Sequence, residues 1–298
     1  MYVSSAAYAV GELVTEISGC HEQLEPLWWA LFYLGSLMVH TQGGRLFWCF
    51  NKVFAVITVS ILLIYIFGTI KFADFNANAP LAHQSGTEAW MHHDFLGFMH
   101  ILPKPAWFFL GIQSINLSCG KMKNPKLDVP RGYFGAIATT CLTSIAVVFL
   151  SCSLAPGVFE FKEQFRPLTQ GFQHMFALSR PYATIFSLPA TVSSGFGFMF
   201  YFGLQLMSMG QSGLIHPALG YESPQHKSPV VALVFGSAVG YALCVLSLWV
   251  PSARKQVYNI SMLGAFATYF SELASFIAFR MYYPTIQREF VSPLGIPG

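Results

Sequence analysis

Apolar residues run almost uninterrupted through seven stretches of the chain, at 27–41, 48–70, 102–119, 132–155, 187–213, 229–250 and 257–281. An eighth, partial run covers 1–17. A helix needs about 20 apolar residues to cross the hydrocarbon core of a bilayer, so the seven stretches read as spanning helices and the eighth as part of one. No stretch alternates apolar and polar positions as a barrel strand must. The pattern predicts an all-α integral membrane protein with one transmembrane domain over residues 1–298.

Composition sharpens that reading. Of 298 residues, 54% are hydrophobic and only 10% charged, against about a quarter charged in soluble domains. Disorder, a nucleic-acid-binding tail and an ordinary soluble enzyme are excluded. A net charge of +3 on so apolar a chain implies no polyanionic partner, and no nucleic acid is expected. Six cysteines lie mostly inside apolar runs without CxxC spacing, which reads as free buried thiols. The first run is no signal peptide, because it lacks a basic start and contains Glu12 and Glu16. Lys121, Lys123, Lys126 and Arg131 crowd the 120–131 loop against Asp128 alone. The positive-inside rule places that loop in the cytosol. The outer loops, 71–101 and 156–186, then serve as a lid or as plain connectors. The second contains an amphipathic stretch, residues 171–186, suited to lie along the membrane plane.

The chemistry concentrates in 102–119. Pro103, Pro105 and Gly111 precede a polar run of Gln113, Ser114, Asn116 and Ser118. Such a run weakens a helix in mid-membrane, and irregular backbone is tolerated there only where it is buried in protein or lines a cavity. Either the segment is a continuous helix packed through small residues, or it is broken near Gly111 and builds a substrate site, as discontinuous helices do in secondary transporters.

Several stretches carry a resemblance. Trp107–Gln113 (WFFLGIQ) followed by Lys123–Gly132 (KNPKLDVPRG) resembles the sixth helix and following loop of amino acid permeases of the amino acid–polyamine–organocation (APC) superfamily, roughly W-F-F-x-G-x-E and K-N-P-x-R-x-I-P-R. Gly195–Gly213 (GFGFMFYFGLQLMSMGQSG) resembles their eighth helix, Ser228–Leu233 (SPVVAL) the start of the ninth, and Val291–Gly295 (VSPLG) the stretch after the tenth. The match covers about residues 27–298, and its nearest flavour is the ethanolamine permease branch. It implies an inverted-repeat transporter fold in which Met1 falls within the third helix. Helices one, two, eleven and twelve of twelve are then missing, so the chain is expected to be a fragment holding about half of a substrate site and to give no transport alone. The implied substrates are amino acids or small amines, moved by alternating access with a proton or sodium as coupling ion, most simply in the plasma membrane.

The resemblance makes Trp107, Phe108, Gly111, Ile112, Gln113, Ser114, Phe198 and Tyr201 candidate substrate-binding residues, with Trp107 and Phe108 offered to an ammonium group by cation–π contact. Gln113 stands where the pattern has Glu, so proton coupling there is absent or carried elsewhere. Leu204 and Gln211 replace two arginines of the eighth-helix pattern, and the fifth helix has no central lysine. Gln113 and Glu272, an acid deep in the last span, are the coupling or gating candidates; for Glu272 a hydrogen-bonded packing role stands beside this. Glu12 and Glu16 either line the interior or sit at the outer mouth. His83, His92, His93, His100 and Asp94 read as a wet, pH-responsive loop rather than a metal site, since HHD lacks the i, i+4 spacing of a helical zinc pair. No cofactor or metal is expected. An intramembrane enzyme finds no HExxH, GxSxG or paired aspartates, leaving a transporter or, alternatively, a truncated or degenerate permease acting as scaffold.

Overall fold

The computed structural model describes residues 1–78, 95–155, 167–250 and 252–287. Eight helices carry the fold: α1 (Tyr2–Ser18), α2 (Glu25–Gln42), α3 (Gly44–Thr69), α4 (Pro125–Ser153), α5 (Pro167–Phe176), α6 (Leu188–Gln211), α7 (Val230–Leu246) and α8 (Ala253–Tyr282). No strand occurs among the described residues. Among the described residues, four stretches are long and apolar enough to cross a bilayer: Gly44–Phe72, Pro125–Ser153, Arg180–Gln211 and Ala253–Tyr282. Val230–Leu246 is apolar but shorter. The expectation of seven full spans is therefore too generous by length and hydropathy. The stretches that fall short are 27–41, 102–119 and 229–250, and in the first of them α2 spends positions on Ser36 and His40, which face neighbouring helices.

Burial is distributed as a bilayer demands. Within the four long stretches, between 11% and 17% of the apolar window is buried. Phe67, Leu142, Leu263 and Phe270 stand fully outward. In water such faces would be aggregation surfaces; against lipid tails they are already solvated. The main core lies where α1, α2, α6, α7 and α8 meet, around Tyr8, Trp29, Phe32, Tyr33, Met199, Leu233 and Val257. A second cluster joins α3 and α4 to α5 and the short helix Arg180–Thr184 through Tyr65, Val147, Phe172 and Ala183. The amphipathic stretch at 171–186 thus presents its apolar side to protein, with Phe172 wholly buried and stacked on Phe186 at 4.4 Å.

Turns follow local chemistry. Gly43 and Gly44 carry φ of 54° and 52° in succession, a left-handed pair that side chains with a Cβ rarely adopt, and it reverses the chain from α2 into α3. α4 begins at Pro125, inside the basic loop and well ahead of the apolar run. A proline in its first turn costs no intrahelical bond.

The ion pairs sort to opposite ends of the bundle. Arg180 Nε reaches Glu16 Oε1 at 3.0 Å, and Arg254 Nη1 reaches Glu12 Oε1 at 2.7 Å. Both mark the ends that the loop charges assign to the outside. Lys121 Nζ meets Glu222 Oε1 at 2.9 Å at the other end.

Candidate functional site

Residues 102–119 do not form one helix. A short turn at Pro103–Ala106 passes into 3₁₀ winding at Trp107–Phe109, the backbone reverses at Gly111, and a 3₁₀ stretch follows over Ile112–Lys121. Gly111 has φ of 97°, a conformation strained for any residue with a Cβ. A broken backbone in a membrane must find other partners, and here it does. Tyr269 OH of α8 donates to the Phe109 carbonyl at 2.7 Å. Tyr133 OH of α4 donates to the Gln113 carbonyl at 3.3 Å, and Tyr258 OH reaches Pro103 O at 3.4 Å. Gly111 N–H donates to Gln113 Oε1 at 3.0 Å, so the Gln113 amide caps the chain just before it.

Beside this break lies a cavity of about 410 Å³. The broken segment contributes Gln113, Ser114, Asn116 and Leu117. α6 contributes Phe198, Tyr201, Phe202 and Gln205, α8 contributes Thr268 and Glu272, and Met1, Tyr2 and Val3 close the side by α1. Tyr2 stacks on Phe198 at 5.1 Å and donates to Ser261 O at 2.8 Å. Among the described lining residues Glu272 is the one ionisable acid, and no Lys, Arg or His side chain takes part.

Of the residues expected from sequence, the structure brings Gln113, Ser114, Phe198, Tyr201 and Glu272 to this cavity. Trp107, Phe108, Gly111 and Ile112 are not in its lining. Trp107 instead stacks on Tyr258 at 5.2 Å, and Phe108 is 48% exposed on the outer surface of the bundle. Trp107 and Phe108 precede the change of winding at Gly111, while Ile112 opens the second stretch without entering the lining. Gly111 still meets the site indirectly, because a Cβ there would sit 3.4 Å from the Phe198 ring.

Glu12 and Glu16 are not in the cavity lining; they pair with Arg254 and Arg180. Arg254, at the start of α8, bonds Glu12 and also Glu25 of α2. Its guanidinium lies 5.0 Å from the Tyr8 ring centre and 5.6 Å from that of Trp29, within cation–π range. Glu25 precedes the apolar run of α2. Burial pushes its carboxyl up, and the adjacent Arg254 guanidinium acts the other way.

His83, His92, His93, Asp94, the side chain of His100 and Val291–Gly295 lie outside the described residues. Among the described residues no group of three or more His, Cys, Asp or Glu is placed to hold a metal ion, and the six cysteines are free. Sequence reading missed Tyr133, Tyr258 and Tyr269, and the Arg254 cluster. A tyrosine inside an apolar run was their only signal in the first case, and a basic helix flank in the second.

No curated protein matches the chain. The model of the amino acid permease family matches residues 3–295, nearly the whole sequence. Members of that family are multi-pass membrane transporters and not enzymes, and the helical bundle with its lipid-facing spans agrees. This chain belongs to the amino acid permease family.

Proposed function

We propose that the cavity between α1, the broken segment, α6 and α8 is the substrate path of an amino acid or small-amine transporter, working by alternating access in the plasma membrane. The observation that carries this reading is the lining itself: one carboxylate, aromatic faces and uncharged amides and hydroxyls beside an interrupted helix. An ammonium group is stabilised there by Glu272 and by the faces of Phe198 and Tyr201. Gln113, Ser114 and Asn116 supply hydrogen-bonding groups for the remainder of the substrate. The volume falls in the range of about 300–1,000 Å³ usual for small-molecule sites. The ethanolamine-permease flavour, a proton or sodium as coupling ion, and the placement of the chain as helices three to ten of twelve belong to the same proposal, supported by the order of the sequence motifs.

The test is binding of radiolabelled ligands to the purified full chain in lipid nanodiscs. Ethanolamine or an amino acid should bind through the ammonium-holding wall that this chain supplies, and a carboxylic acid of similar size without an amine should not. Glu272→Gln removes a charged hydrogen-bond partner worth about 1.5–3 kcal/mol, so amine affinity should fall roughly tenfold to hundredfold. Unchanged amine binding in Glu272→Gln, or equal binding of the amine-free acid, overturns the proposal.

A further inference from the structure

A second titratable group is buried far from that cavity, at the inner end of α2. His40 is 3% exposed. Its Nδ1 lies 2.7 Å from Ser36 O on its own helix, and its Nε2 lies 3.0 Å from Phe196 O on α6. Both partners are carbonyl oxygens, which only accept. A neutral imidazole has one N–H donor and one bare nitrogen, so it satisfies one of the two contacts and sets two lone pairs against each other at the second. Only the imidazolium donates to both.

The ring is held in place. It packs on Phe196 at 4.2 Å and on Phe47 of α3 at 5.2 Å. The end of α2 is clipped by the 222–229 loop, where Ser228 Oγ donates to Thr41 O at 2.7 Å. His40 also borders a cavity of about 160 Å³ together with Gly43, Lys121, His226, Lys227 and Ser228. The charged and titratable groups facing it there are Lys121, His226 and Lys227, with Glu222 on Lys121. Among the described residues, α3, α6 and α7 contribute only uncharged side chains to that lining.

We infer that His40 is a proton-binding site of the inner face, and that filling it fastens α2 to α6. Burial without a facing carboxylate opposes the charge, as do the neighbouring lysines, while two charge-assisted bonds favour it. The balance makes occupancy depend on proton activity. The neutral ring keeps its shorter bond within α2 and leaves Phe196 O without its donor, so the helix-to-helix link is the one that comes and goes. The link strengthens as pH falls and is lost as pH rises. This site stands apart from the substrate reading, since neither helix contact involves the larger cavity.

The experiment is nitrogen NMR of the full chain in lipid nanodiscs, labelled at histidine, with the His40 signals assigned by their loss in His40→Gln. On acidification from about pH 8 to about pH 4, extended below the ordinary histidine range because burial opposes the charge, both ring nitrogens of His40 should pass to the protonated N–H form. Amide exchange at the inner ends of α2 and α6, corrected for its intrinsic pH dependence, should slow in the native chain. The same response should be lost in His40→Gln. A His40 ring that stays singly protonated across the range overturns the inference, as does an identical exchange response in the variant. If His40→Gln fails to fold, the His40→Asn chain provides the assignment, and the native titration decides.

Discussion

Two glycines of α6, two positions apart, allow the packing of the main core to be tested without the uncertainty of helix propensity. A Cβ added at Gly195 would lie 2.6 Å from Phe32 Cζ and 2.9 Å from Ala6 Cβ. Ala6 moves only if α1 moves, and Phe32 is buried edge-on against Tyr33 at 5.7 Å. At Gly197 the same added carbon meets nothing within 4 Å. Both Gly→Ala changes gain about the same ~0.5–1 kcal/mol of helix propensity, which cancels between them. What remains is the overpacking at 195, typically ~1–3 kcal/mol. Gly195→Ala should therefore be less stable than Gly197→Ala by about 1–3 kcal/mol. The assay is equilibrium unfolding in mixed micelles titrated with a denaturing detergent, followed by tryptophan fluorescence. Combining Gly195→Ala with Phe32→Leu, which withdraws the clashing ring edge, should recover part of the loss. Equal stability of the two alanine variants would refute the close approach of α1, α2 and α6 at Gly195.

Arg254→Met should destabilise the chain by about 2 kcal/mol, from charged hydrogen bonds of ~1.5–3 kcal/mol each discounted because Arg254 and Glu12 are partly exposed. Glu25 carries the sign: its carboxyl is already raised by burial, and without the arginine its ionisation is opposed further. Stability of the variant is then retained at low pH and lost as pH rises, so the same unfolding titration near pH 5 and near pH 8 should show the larger deficit at the higher pH. Gln113→Glu places a titratable group where the Gln113 amide now accepts from Gly111 N–H. Ligand binding should gain a pH dependence beyond that of the native chain, read from affinities at two pH values; identical profiles would remove position 113 from the substrate path.

The break in 102–119 was legible because a glycine and a polar run interrupt an otherwise apolar stretch. Glu272 was legible for the same reason, as charge where lipid tolerates none. Trp107 and Phe108 were named from the motif they resemble, and a motif does not say which side chains turn toward the cavity where the winding changes at Gly111. Gln113 and Trp107 are six positions apart, and no single helical wheel relates their faces once Gly111 turns the chain. The tyrosines that satisfy the broken backbone come from helices distant in sequence, 160 positions away for Tyr269 and Phe109. Nothing local distinguishes them from the other aromatics. Arg254, Glu12 and Glu25 assemble across even longer separations, and each alone resembles an ordinary helix flank.

The ten residues of Ile112–Lys121 are wound more tightly than an α-helix. A 3₁₀ helix rises about 2.0 Å per residue against 1.5 Å, so this stretch is about 5 Å longer than the same residues would be in α form. Runs of this length are uncommon, since the hydrogen bonds are poorer. The segment is thus an extended spring, anchored at one end by Gly111 and at the other by the Lys121–Glu222 pair. Rewinding it would shorten the inner half by about one helical turn and rotate Gln113, Ser114 and Asn116 relative to α6. With both ends anchored, that shortening has to be taken up at Gly111 or at the Lys121–Glu222 pair, so the wall of the cavity is tied to the ion pair at the end of the segment.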